Sequence, residues 1–476
     1  MGQEIATSTF TEADRVAFRK RLRDETATLK RWFQTDAFDR DDARTVGLEI
    51  EGWLMDADVL PAPENEAFFA AVKDPDVVAE LSKFNFEINA PARPLRKRVF
   101  NETRSDIERT WTACRDAAAP LGLKPMAVGI APTVRDDMLQ PSWMSEGERY
   151  RALNRELLRR REDRPILIDI EGDDRLRYRC DHIMLEAACT SLQAHFKVNQ
   201  DEAVRFYNAG VLSAGPLVAA CANSPFLYGK SLWDETRIRA FEQATATDVF
   251  RDAQGRKVQR VSLGRGYLRQ SFLELFVENL SFPTLLPMLH EESARLPHVR
   301  LHNGVIWRWV RPILGFDADD NPHLRIEHRV TPAGPSVVDM VANLALCHGL
   351  MLALGRAETP PETETPFEDA RANFYACAKH GLAAEVKWRG RAVNVQTLLS
   401  EELLPAAASA LAREDVDAGD RAFYVDAVLH ERLRTGRTGA AWQRSFVACN
   451  GPDFQALTAA YLERQESGEP VHEWAV

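Results

Sequence analysis

The spacing of hydrophobic and polar positions changes period several times along this chain, and each change marks an element. Residues 11–37 place Val16, Phe18, Leu22, Leu29 and Phe33 at near-helical intervals among charged side chains, which predicts an amphipathic helix. Strand-like runs follow at residues 45–55 and at 84–89, the second ended by Pro91. Residues 99–119 read as a helix and 123–129 as a strand. Residues 146–161 predict an arginine-rich helix, with Arg159, Arg160 and Arg161 as its solvated end. Residues 187–198 alternate as a strand does, and 201–222 predict a long helix capped by Asp201. Residues 297–333 look strand-rich, and from Pro335 onward the pattern is mostly helical, with a Pro/Thr/Glu linker at 358–366. The expected organisation is an N-terminal helix within residues 1–40, an α+β domain over 41–357, and a helical portion over 367–476 packed on that domain.

Four of the strands share one peculiarity. Successive side chains of a strand point to opposite faces, so positions two apart share a face. Leu48 and Ile50 therefore face one way, and Glu49 and Glu51 the other. Phe84, Phe86 and Ile88 oppose Asn85, Glu87 and Asn89. Leu192, Ala194 and Phe196 oppose Gln193, His195 and Lys197, and Leu324 and Ile326 oppose Arg325, Glu327 and Arg329. One such strand is most simply a half-exposed strand with a solvated face. Four together suggest more, because carboxylates and imidazole bind hard cations, and arginine forks bind phosphate and carboxylate oxygens. If the strands share a sheet, that face could hold a metal-bound polyphosphate.

Composition narrows the field. The chain has 476 residues, 45% hydrophobic and 28% charged, ample for a globular core and too ordered in composition for a disordered chain. Lys and Arg number 60 against 71 Asp and Glu, a formal charge of −11, which argues against a nucleic-acid binder with a basic surface. No apolar run is expected to reach membrane-spanning length; residues 211–221 come nearest. The N-terminus lacks a signal-peptide pattern, and the 7 cysteines are scattered without a Cys-x-x-Cys, as in reduced cytoplasmic proteins. There is no phosphate loop and no dinucleotide fingerprint, so a nucleotide site would be built on the sheet.

At these residues the sequence resembles a family. Gly47-x-Glu49-x-Glu51, Arg149-Tyr150, Gln193-Ala194-His195, Ala222-Asn223-Ser224-Pro225-Phe226 with Gly229, then Arg237 and Arg239, Arg325-Ile326-Glu327-His328-Arg329, and the segment from Phe374 to Gly381-Leu382 occur in an order similar to that of the glutamate–cysteine ligase and carboxylate–amine ligase family, with its glutamine synthetase-like fold. The likeness runs from about Thr45 to Leu382. It implies an α+β fold with a curved, mainly antiparallel sheet whose concave face carries the active site. It implies ATP with magnesium (manganese as the alternative), and glutamate joined to an amine such as cysteine through a γ-glutamyl phosphate. By resemblance, Glu49, Glu51, Glu87, His195 and Glu327 would be metal ligands, and Arg329 would contact phosphate or the glutamate carboxylate. Arg149, Gln193, Arg237, Arg308 and Arg311 are the further candidates for contacts to nucleotide and substrate. The family's aspartate a few residues after Glu-x-Arg is missing, since Val330-Thr331-Pro332-Ala333-Gly334 follows.

Such chemistry needs metals to screen an anionic carboxylate approaching a triphosphate, an arginine for the transferred phosphoryl group, and a base for the amine. His195, Glu87 and the product phosphate all remain open as that base. The segment from His302 to Arg311 reads equally as a substrate wall or as a core strand with two tryptophans. Small-molecule substrates are expected as partners, without nucleic acid or membrane, and a homo-oligomer is left open. Two alternatives stand beside a glutamate–cysteine ligase: the same chemistry on another amine or acid, and a non-catalytic nucleotide-binding protein. The density of mutually repelling acids disfavours the second.

Overall fold

The alternation at residues 45–55 becomes strand β1 (Thr45–Met55), and it lies in the middle of the main sheet. The other strands are β2 (Val77–Ala79), β3 (Asn85–Pro94), β4 (Lys124–Met126), β5 (Leu192–Val198), β6 (Val310–Phe316) and β7 (Pro322–His328). A computed structural model of the chain describes residues 5, 7–247, 259–291 and 294–476. The strand order is β6-β7-β5-β1-β3-β2, with β4 paired to the end of β1, and every pairing is antiparallel.

Register is what brings the polar positions together. Glu51 pairs with Glu87, Glu49 with both Asn89 and Gln193, His195 with both Gly47 and Glu327, and Arg311 with Glu327. Paired residues point to the same side of a sheet, so all these side chains share one face. The other face buries Leu48, Ile50, Phe86, Ile88, Phe196 and Ile326. Gly52 lies on that buried face because the ring of Phe86 occupies the space a Cβ would need. Beyond Glu51 the alternation of β1 gives way to continuous burial, and Trp53 stacks on Phe84 at 5.0 Å while its indole N–H donates to Thr190 Oγ1 at 2.9 Å.

Helices Val99–Ala118, Ala203–Cys221 and Val337–Gly355 back the apolar face. The last is long and apolar enough to cross a membrane, contrary to expectation, yet 89% of its apolar window is buried inside the molecule. It packs against the helix Ala203–Cys221 and the C-terminal helix Leu404–Arg413. A buried pair, Arg432 with Asp339 at 2.8 Å, ties the C-terminal helices to it.

Several boundaries differ from the sequence expectation. Pro91 does not end β3, because Pro91 and Ala92 form a bulge opposite Gly47 where β2 no longer reaches, so the missing N–H costs no ladder bond. The strand expected at 123–129 is short, and residues 187–191 precede β5 rather than belonging to it. Asp201 is not the cap of the following helix, which starts after Glu202 without a side-chain cap bond. Part of the strand-rich region is the helix Pro297–Asn303. The arginine run is solvated only in part: Arg159 is exposed, whereas Arg161 is buried and donates to Pro165 O at 2.6 Å and to Ala246 O. The helical C-terminal portion also contains a hairpin, Glu385–Trp388 with Arg391–Asn394.

Candidate active site

The polar face of the sheet is the floor of a cavity of about 350 Å³. The helix Glu148–Arg160 supplies Arg149, Tyr150 and Leu153 to one wall, and Tyr150 Oη donates to Ala79 O at 3.1 Å, fixing that helix to β2. The helix Pro297–Asn303 supplies Arg300 and Leu301, and Phe276, Trp307 and Phe316 add apolar surface.

Two groups of potential ligands stand side by side on the floor. In each, one ligand atom per residue lies within 4.8 Å of the others: Glu49, His195 and Glu327 form the first, and Glu51, Glu80 and Glu87 the second. Glu49 and Glu51 share a face of β1, which makes the two groups neighbours. Five carboxylates and one imidazole suit hard divalent cations such as magnesium or manganese.

The electrostatics divides the acids. Burial drives Glu87 up to about 7, helped by the negative charge of Glu49. Burial likewise raises Glu80 well above the carboxylate range, with Glu87 and Glu51 adding to it. Burial raises Glu186 to about 8, with Glu51 beside it. Burial pushes Glu327 up too, but the guanidinium groups of Arg311 and Arg329 overcome this and hold it at about 2. Burial of Glu49 is similarly overcome by His195, whose Nε2 lies 3.1 Å from Glu49 Oε1, so this carboxylate stays low. In the first group the cationic partners prevail, whereas in the second burial and mutual repulsion outweigh the pull of Arg329 and Arg237 on Glu51, an arrangement that a bound cation would relieve.

The arginines are held in a chain. Arg311 donates to both oxygens of Glu327, reaching Oε1 at 2.8 Å. Arg329 donates to the same Oε1 at 3.0 Å and to Gln193 Oε1. Gln193 in turn donates to Glu51 Oε1 at 2.9 Å, and the Ser191 N–H donates to Glu51 Oε2 at 2.6 Å. Asn89 donates to Glu87 Oε1 at 3.0 Å. Arg329 and Arg311 are therefore oriented before any ligand arrives, with Gln193 connecting the two acidic groups.

A model described as glutamate–cysteine ligase family 2 matches residues 45–472. The chain belongs to glutamate–cysteine ligase family 2. The match passes well beyond Leu382 and takes in the C-terminal helices, further than the sequence resemblance reached. No curated protein sequence matches. Among solved structures the family 2 chain is similar to the glutamate–cysteine ligase of Francisella tularensis in complex with AMP, with a TM-score of 0.52 and 10% identity over 92% of this chain and 96% of that one. It is also similar to a bifunctional glutathione synthetase from Pasteurella multocida, with a TM-score of 0.55 and 11% identity over 89% of this chain. It covers 52% of that protein, about half its length. At these identities the likeness establishes the fold, which is the expected glutamine synthetase-like α+β arrangement around a curved antiparallel sheet.

Of the residues singled out in the sequence, Glu49, Glu51, Glu87, Arg149, Gln193, His195, Arg311, Glu327 and Arg329 line the cavity of this family 2 chain. Arg237 and Arg308 do not. Arg237 is buried outside the cavity, past the end of β7, where it pairs with Glu235 at 2.9 Å and donates to the carbonyls of Arg329 and Val330. Arg308 is buried against Asn279 Oδ1 at 2.8 Å and Glu278 Oε1 at 2.7 Å. The segment from His302 to Arg311 therefore serves both suggested roles, with Trp307 and Arg311 at the cavity and Arg308 and Trp309 in the core. Glu80 and Glu186 were missed. Glu80 follows the three-residue β2 and has no period to betray it. Glu186 did leave a signal, a lone acid between Met184-Leu185 and Ala187-Ala188.

Proposed function

We propose that this family 2 chain is an ATP-dependent carboxylate–amine ligase that forms a γ-glutamyl amide through a γ-glutamyl phosphate, with cysteine the first acceptor to test. The observation that carries this reading is the pair of adjacent ligand groups, Glu49/His195/Glu327 and Glu51/Glu80/Glu87, next to pre-oriented Arg329 and Arg311. Two divalent ions held there would neutralise the triphosphate enough for an anionic carboxylate to approach it. Arg329, braced by Glu327 and Gln193, is aimed into the cavity as a donor for the transferring phosphoryl oxygens. Arg311 keeps Glu327 ionised and so keeps it a competent ligand. The apolar wall of Phe276, Leu301 and Trp307 limits water near the acyl phosphate.

In this reading a γ-carboxylate oxygen of glutamate bonds to the γ-phosphorus of ATP while the bond to the bridging oxygen breaks, releasing ADP. The neutral amine then bonds to the acyl carbon, its nitrogen gives up a proton, and phosphate leaves with one oxygen that began on glutamate. The test follows from that oxygen. Glutamate labelled with oxygen-18 at the γ-carboxylate, supplied with ATP and a panel of amines including cysteine, is expected to give labelled phosphate and ADP when an amine is consumed. AMP and pyrophosphate, or unlabelled phosphate, would overturn the proposal.

A further inference from the structure

The stretch after Arg329 carries no acid, and it is turned away from the cavity: Val330, Thr331 and Ala333 are buried, and Val330 O accepts from Arg237. An acceptor amine therefore finds no anionic contact there. The molecule offers a carboxyl from elsewhere. Glu186 lies on the short turn Met184–Ala188, whose Met184, Leu185, Ala187 and Ala188 are all buried and anchor it rigidly. Its carboxylate lines the cavity. It belongs to neither ligand group. Among the described residues no hydrogen bond or ion pair engages it, and the charges that act on it most are those of Glu51 and Arg329. Glu80 and Tyr150 also feel its charge, which places it in the corner shared by the Glu148–Arg160 wall and the second acidic group. A cavity-lining carboxyl on a buried turn, beside the residue that would hold the phosphoryl group and with no hydrogen bond or ion pair from the described residues, is a receptor for a cation delivered with the substrate, which would hold it ionised.

Resting on the ligase reading above, we propose that Glu186 binds the acceptor substrate through its ammonium group, and so selects acceptors that arrive with a cationic primary amine.

The test uses Glu186→Gln, which keeps size and removes charge, and Glu186→Asp, which keeps charge, in the full chain. With saturating magnesium, Glu186→Gln is expected to raise KM for the acceptor about tenfold or more, the scale of one lost charge-assisted contact. KM for ATP and glutamate should stay within about twofold, since neither loses a contact. Glu186→Asp should recover part of the acceptor affinity. Without acceptor, glutamate-dependent scrambling of bridging oxygen-18 in ATP should persist in both variants. Unchanged acceptor KM in Glu186→Gln overturns the proposal. So does a weakened magnesium midpoint in thermal unfolding that accounts for the whole kinetic effect, since Glu186 would then be a metal ligand. If the wild-type chain itself shows no glutamate-dependent scrambling and no ADP release, it is the ligase reading that fails, and this inference falls with it.

Discussion

Glu87 and Glu327 occupy the same polar face and lie on opposite sides of the ordinary carboxylate range of 4.5, at about 7 and about 2. The sign of each effect on stability follows. A raised acid favours the folded state while protonated, so the contributions of Glu87, and of Glu186 at about 8, are present below pH 4.5 and lost as pH rises toward 8. A depressed acid does the reverse, so the contribution of Glu327 is present above 4.5 and lost as pH falls toward 2. The metal-free protein is therefore expected to be most stable near pH 5, and its melting temperature to fall between pH 5 and 8. Magnesium should restore much of that loss at pH 8 and release protons on binding near pH 7. A melting temperature that stays flat or rises from pH 5 to 8 without metal would contradict this. At Arg329 the expectation is kinetic. Its two acceptors, Glu327 and Gln193, fix a planar fork that lysine cannot reproduce, so Arg329→Lys should lower turnover about tenfold or more, equivalent to about 1.4 kcal/mol. A change confined to KM for glutamate would move Arg329 to ground-state binding.

At the level of elements, the sheet is also held at the end of β7. Arg237, on the helix Thr236–Ala244, grips the carbonyls of residues 329 and 330 and is itself paired with fully buried Glu235. Removing it leaves a buried carboxylate alone, so Arg237→Ala should cost about 3–5 kcal/mol in denaturant unfolding. Replacing both partners, Glu235→Gln with Arg237→Met, should recover part of that loss, and no recovery would assign the damage to the carbonyl contacts instead. Arg237 also shows what sequence could and could not tell. The period-2 pattern of Glu49, Glu51, Glu87, His195 and Glu327 was legible because each strand buries one face and leaves the other polar. Arg237 and Arg308 were misjudged because a buried, internally paired arginine and a ligand-binding one have the same spelling. Glu80 and Glu186 reach the cavity from a strand end and a single turn, where no repeating side-chain direction exists to be read. Pro91 misled because its consequence depends on whether a neighbour needs its N–H, and that is decided by β2, which pairs elsewhere.

For the molecule as a whole, the order β6-β7-β5-β1-β3-β2 has a consequence for how the protein comes into being. The strand made early, β1, is flanked by β3 and by β5, and the ligand group Glu49/His195/Glu327 draws on β1, β5 and β7, so its members lie far apart in the chain. Such pairings close large loops before any contact rewards them, which makes the native topology slow to reach. A nascent or refolding chain can gather Glu51, Glu80 and Glu87 from β1, the end of β2 and β3 alone, but the two adjacent groups do not stand together as a two-ion site until the last of these strands docks. Magnesium should accordingly leave the rate-limiting folding step nearly untouched and act almost wholly by retarding unfolding, as interactions absent from the transition state do. Double-jump kinetics with and without magnesium would read this directly, and an acceleration of refolding by the metal would mean that β1, β5 and β7 meet early. On this account the ion protects the finished protein against loss and gives no help in making it.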